Sequence, residues 1–183
     1  MRLLALAKVT LVVSFAYLVA FFATFKILIP VQDMFFPVFA SHASLLFLPS
    51  GVRVLAAWLL GWRSVVALGP GVFVAFYYVA GTEALEPTRV SAILIAIAVP
   101  ATTFRAFQLL GWNIAPQPDQ RPCWPCVMCA GTVISILSSV LTNYALGSSS
   151  PDYLAYLIGD FFGLLFLMMS LMFVFRAIRS RGL

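Results

Sequence analysis

Between Phe47 and Arg53 the chain reads Phe-Leu-Pro-Ser-Gly-Val-Arg, a helix-breaking triplet and a guanidinium inside a run otherwise apolar enough to cross a bilayer. A charge at that depth costs about 2.5–3.5 kcal/mol on insertion scales, so it normally turns to the bundle interior and finds a partner. Asp160 is the candidate partner. It stands in Ile158-Gly-Asp-Phe-Phe-Gly163, the only carboxylate of the last apolar run, flanked by small residues of the kind that let helices approach closely. The two charges predict a helical membrane domain built around a polar cluster from its second and last spans.

Hydrophobic residues make up 63% of the chain and charged ones 9%, against about a quarter charged in a soluble domain. The composition is that of an integral membrane protein, with the lipid bilayer as its main surroundings. Its 183 residues hold about six spans of roughly 20 residues and leave no room for a soluble domain of ordinary size. Any output must then pass through another membrane or cytoplasmic protein. The net charge of +5 comes from basic residues scattered singly at span ends and clustered only at the C-terminus. Membrane topology accounts for that pattern, and nucleic acid is not indicated as a partner. Arg2 and Lys8 before the first apolar run have the form of a signal peptide, but no polar mature domain follows, and the run reads as an uncleaved first span.

The hydropathy rhythm predicts one all-α domain over 1–183, a polytopic bundle of about six transmembrane helices at 3–29, 42–61, 65–80, 89–110, 126–146 and 153–175. Pro30, Gln32, Asp33 and Pro37 read as a connection reaching His42. Pro49 and Gly51 divide the second span, and Gly69-Pro-Gly71 interrupts the third. Freed backbone groups in a broken membrane helix need protein or a polar cavity, which makes this hairpin the expected binding site; packing alone explains Pro and Gly equally well. With the N-terminus inside, Arg2, Lys8, Arg63, Arg105, Arg121, Arg176, Arg179 and Arg181 face the cytoplasm, and only Lys26 and Arg89 lie outside. Both termini are therefore expected to be cytoplasmic.

Cys123, Cys126 and Cys129 form a C-x-x-C-x-x-C run whose spacing resembles part of a zinc or iron–sulfur ligand set. The set lacks a fourth ligand, because these are the only cysteines and the sole histidine, His42, is expected on the opposite side. Redox or disulfide use stays open, and small residues packing at a helix entrance are the favoured reading. Ser41, His42 and Ser44 read as a helix cap rather than a nucleophile and base, and Glu83 and Glu86 as a solvated loop. Candidate ligand or packing positions are Pro49, Ser50, Gly51, Gly159, Gly163 and Tyr77, around the intramembrane pair Arg53 and Asp160. A small polar or anionic ligand, or a proton, would compete for one member of that pair. There is no nucleotide-binding loop, zinc-protease motif or nucleophile elbow, so neither catalysis nor a cofactor is expected.

Leu48-Pro-Ser-Gly51, Ala56-Ala-Trp-Leu-Leu, Gly61-Trp-Arg63, and Gly159, Asp160 and Gly163 together resemble the MASE1 family of bacterial membrane sensor domains over about residues 44–171. The resemblance implies a multi-pass module of the bacterial inner membrane, usually placed before histidine kinase, diguanylate cyclase or phosphodiesterase domains. Family members commonly carry about eight spans and an attached output domain; this chain has about six and a short basic tail, and Arg53 stands at a position expected to be apolar. The expected function is a non-catalytic sensory or interaction module acting through a partner. Alternatives are an accessory or assembly subunit of a larger membrane complex, and the substrate-binding component of an energy-coupling-factor transporter, whose small-residue docking face Ala16 and Ala20 loosely resemble.

Overall fold

The computed structural model describes residues 2–35, 46–112, 114, 123–146 and 152–180, and every element among them is helical. Helix α1 (Arg2–Ala23) passes through a π-helical turn (Thr24–Leu28) into α2 (Ile29–Phe35) without a break. The first span is therefore longer than 3–29, and Pro30, Gln32 and Asp33 are helical rather than a connection. In the π turn the Ile29 N–H reaches five residues back to the Thr24 carbonyl. That shift loosens the ladder just ahead of Pro30, whose ring and missing N–H a regular α-ladder accommodates poorly.

Helix α3 (Leu48–Leu60) follows, then α4 (Arg63–Ala80), a 3₁₀ turn (Gly81–Leu85), α5 (Pro87–Leu109), α6 (Trp124–Leu146) and α7 (Asp152–Ser180). Among the described residues four helices are long and apolar enough to cross a membrane: Leu4–Met34, Arg63–Leu85, Pro87–Leu109 and Trp124–Ala145; Leu48–Leu60 is a shorter apolar helix, and Leu157–Phe173 is a shorter apolar stretch within α7. Helices α3 and α4 meet at a tight turn in which Gly61 has φ 55° and ψ −130°, a combination open essentially to glycine.

Helix α3 is the axis of the bundle. Around it α1 packs on α4, α4 on α5, α5 on α6 and α6 on α7, and α3 touches α1, α4, α5, α6 and α7. Its two sides serve two cores: Val54 and Trp58 join Val127, Ile134 and Leu164, whereas Ala56 joins Tyr17, Leu68 and Val72. Many buried positions are small, including Ala57, Ala67, Ala75 and Ala92, while Leu11, Val12 and Phe15 point outward at 71, 68 and 70% exposure. Small residues inside and large ones outside suit a bundle whose surroundings are as apolar as its core.

The expected interruption of the third span does not occur. Helix α4 runs straight through Gly69, Pro70 and Gly71. Ser14 of α1 supports this segment: its hydroxyl donates to the Ala67 carbonyl (2.9 Å) and accepts from the Gly71 N–H (3.2 Å), tying down one helical turn beside the proline. Gly71 has no room for a side chain, since a Cβ there would lie 2.9 Å from Ser14 Cα, whereas a Cβ on Gly69 would meet nothing within 4 Å. Gly69→Ala is accordingly expected to leave thermal stability in detergent unchanged or to raise it by about 0.5–1 kcal/mol. Gly71→Ala should lower it by about 1–3 kcal/mol through overpacking against α1, so a loss from Gly69→Ala matching that of Gly71→Ala would contradict this packing.

Candidate functional site: a polar cluster at the buried start of α3

Helix α3 begins inside the bundle rather than at its edge. Pro49, Ser50 and Gly51 are buried and lie in its first turn, so the Pro-Ser-Gly triplet opens α3; residues 42–45, where the second span is expected to begin, lie outside the described residues. Pro49 suits the first turn because its missing N–H would have no helical acceptor there. The Ser50 N–H donates to the Phe47 carbonyl (3.3 Å), and the N–H groups of Leu48 and Phe47 are met by neighbouring helices. The Leu48 N–H donates to Thr24 Oγ1 (3.3 Å) in the π turn, and Thr24 in turn donates to the Ala20 carbonyl (2.9 Å). The Phe47 N–H donates to the Gly159 carbonyl of α7 (2.9 Å).

Glycine spacing on α7 makes that crossing possible. Gly159 and Gly163 lie on one helix face, and a Cβ on Gly163 would run into the Phe47 backbone. Close contact continues along the same face, where a Cβ on Gly51 would lie 3.2 Å from Leu164 Cα. The non-helical entry to α3 is thus clamped against α7.

The structure brings Arg53 and Asp160 together in this clamp, Nη2 to Oδ2 3.7 Å, each side chain 12% exposed. Helical side chains lean toward their own N-terminus, and Arg53 follows this rule, its guanidinium lying 6.0 Å from the Phe47 ring centroid. Ser50 Oγ lies 2.7 Å from the Phe47 carbonyl and 3.0 Å from the Asp160 carbonyl, linking the first turn of α3 to α7. The hydroxyls of Ser135 on α6 and Ser50 are within hydrogen-bonding reach of the Asp160 carboxylate, and buried Tyr17 of α1 lies within the field of both charges. Four helices therefore converge here. Among the described residues, two buried polar side-chain atoms lack a protein partner, Arg53 Nε and Ser138 Oγ. Chemically the cluster offers one cation, one carboxylate and several hydroxyls in an apolar shell. A proton or a small polar group engaging either charge would compete directly with the contact between α3 and α7.

Other positions singled out in the sequence lie elsewhere. Tyr77 is half-exposed on α4 and stacks on Phe73, outside the buried cluster. Ala16 is exposed but Ala20 is buried, so the two do not form an exposed docking face. Glu83 and Glu86 pair with Arg89 at the exposed start of α5 (2.7 and 4.0 Å). Cys123 and Cys126 are joined in a disulfide, one of the uses the sequence left open, and Cys129 is free and exposed. No group of three His, Cys, Asp or Glu side chains able to hold a metal occurs among the described residues. Ser41, His42, Ser44 and Arg121 lie outside them. A recess of about 290 Å³ opens between α3 and α5 beside Trp58, Trp62, Arg105 and Gln108, away from the ion pair.

Sequence reasoning missed Thr24, Ser14, Ser135 and Tyr17. Ser135 carried a usable signal, because it lies four residues after Gly131 and so shares its helix face. A Cβ on Gly131 would strike Leu164, one turn beyond Asp160.

Compared with described protein families, curated proteins and solved structures, the chain matches none of them.

Removing one partner of a buried pair strands the other charge, whereas removing both relieves it. Arg53→Ala is expected to cost about 3–5 kcal/mol in detergent unfolding. Combining it with Asp160→Ala should cost clearly less than the sum of the two single losses, and strict additivity in this double-mutant cycle would exclude coupling.

Proposed function

We propose that the chain is a multi-pass module of the bacterial inner membrane, MASE1-like, that receives a signal within the bilayer and passes it to a partner protein at the cytoplasmic face without catalysing a reaction. The observation carrying this reading is the Arg53–Asp160 contact at the buried start of α3, 3.7 Å long and 12% exposed on both sides. Such a contact is costly to bury and sensitive to any competing charge, which makes it a candidate two-position latch rather than an efficient source of stability.

The helices give the latch something to move. Helix α3 has 13 residues, about 20 Å, and α7 has 29, about 43 Å. The first is too short to cross a hydrocarbon core of about 30 Å and the second is longer than one. A shift at Asp160 would therefore be carried along α7 to the basic end of the chain. On this reading the expected span over 42–61, of which α3 is the described helix, and α7 join the four long helices as six membrane passages, and both termini lie in the cytoplasm by the excess of Arg and Lys on that side.

The test is purification of the tagged full-length protein from its native membrane in mild detergent, with mass spectrometry of what stays bound. A cytoplasmic kinase, cyclase or phosphodiesterase is expected to be retained. Recovery alone, as a fixed-ratio subunit of an energy-converting complex, or with an ATPase pair would overturn the sensory reading. Reporter fusions check the topology separately, with a C-terminal fusion expected to be active only for a cytoplasmic reporter.

A further inference from the structure

Cys123 and Cys126 are bonded across the first turn of α6, their Cα atoms 5.2 Å apart. Cys123 immediately precedes the helix, and its carbonyl accepts the Val127 N–H at 3.1 Å. It thus occupies the N-cap position, with Cys126 the third helical residue. Pro125, between them, fits the first turn because no acceptor awaits its missing N–H. Both sulfurs lie at the positive end of α6, where a thiolate is stabilised and so leaves readily.

Stapling is the weaker account of this bond. The stabilisation a disulfide gains by closing a loop of the unfolded chain shrinks with the loop, and this one joins residues only three apart. Access favours chemistry instead: Cys123 is exposed, and Cys126 is half-buried behind it.

We propose that Cys123 and Cys126 form a redox-active thiol–disulfide site that exchanges electrons with a dithiol. A thiolate of the dithiol attacks the exposed Cys123 Sγ, the Cys123–Cys126 bond breaks, and Cys126 leaves as a thiolate and takes up a proton. The second thiol of the dithiol, after losing its proton, attacks its own sulfur in the mixed disulfide and expels Cys123, which is protonated in turn. Two electrons and two protons pass to the cysteine pair, and the dithiol becomes a disulfide; the reverse sequence reoxidises the pair. On the proposed topology this end of α6 faces the cytoplasm, where disulfides are typically transient or redox-sensing. The exchange chemistry and its test do not depend on that topology.

The test uses the purified full-length protein equilibrated with mixtures of reduced and oxidised glutathione and, separately, with dithiothreitol, then acid-quenched, labelled with a maleimide mass tag and weighed intact. The expected result is reversible gain and loss of two labels within minutes, with half-reduction inside the range of glutathione ratios that cellular thiol pools span. Cys129→Ser is expected to exchange as the wild type does, with the constant third label gone. A pair that opens with dithiothreitol but stays oxidised in an about hundredfold excess of reduced glutathione is a structural bond and overturns the proposal. Three cysteines that never pair in oxidised glutathione overturn it too, as does loss of exchange in Cys129→Ser.

Discussion

A helix that starts within an apolar bundle leaves its first N–H groups with no water to meet them, and an unpaired amide there costs several kcal/mol. The arrangement around α3 answers that constraint. Thr24 takes the Leu48 N–H, the Gly159 carbonyl takes the Phe47 N–H, and Ser50 binds back to the Phe47 and Asp160 carbonyls. Apart from the Phe47 carbonyl, these partners belong to neighbouring helices that must lie close, so the demand of one helix end fixes the positions of α1 and α7.

Close approach explains where the glycines fall. Gly163 makes room for the Phe47 backbone, Gly51 for α7, Gly131 for Leu164 and Gly71 for Ser14. In a bundle with apolar residues on both faces, packing and interhelical hydrogen bonds replace the hydrophobic drive that would organise a soluble core. Serine and threonine then act as joints. Ser14 spans α1 and α4, Thr24 joins α1 to the entry of α3, and Ser135 brings α6 to the Asp160 carboxylate. The ion pair sits where these joints meet, which is why a change at either charge is placed to alter how α3 and α7 lie together.

Parts of this site were legible in the sequence. An arginine and an aspartate in apolar runs stand out because each is costly alone, and Gly159-x-x-x-Gly163 marks a helix face open to close approach. The proline signals were harder to read. Pro49 opens a helix, Pro70 lies inside an unbroken one and Pro30 follows a π turn. A proline reports only that one N–H is missing; whether a helix ends there depends on what surrounds the gap, and for Pro70 the surroundings include Ser14, far away in the chain.

The sequence by itself determined the class of structure. Long apolar runs with 9% charged residues can satisfy their backbone in lipid only as helices or closed barrels, and runs of this length are those of helices. Tertiary structure alone decided that α3 is the short central helix, that α4 is continuous, and which hydroxyls join the two charges. Apolar side chains look alike to hydropathy whether they face lipid or a neighbouring helix, so inside and outside separate only when the helices are packed.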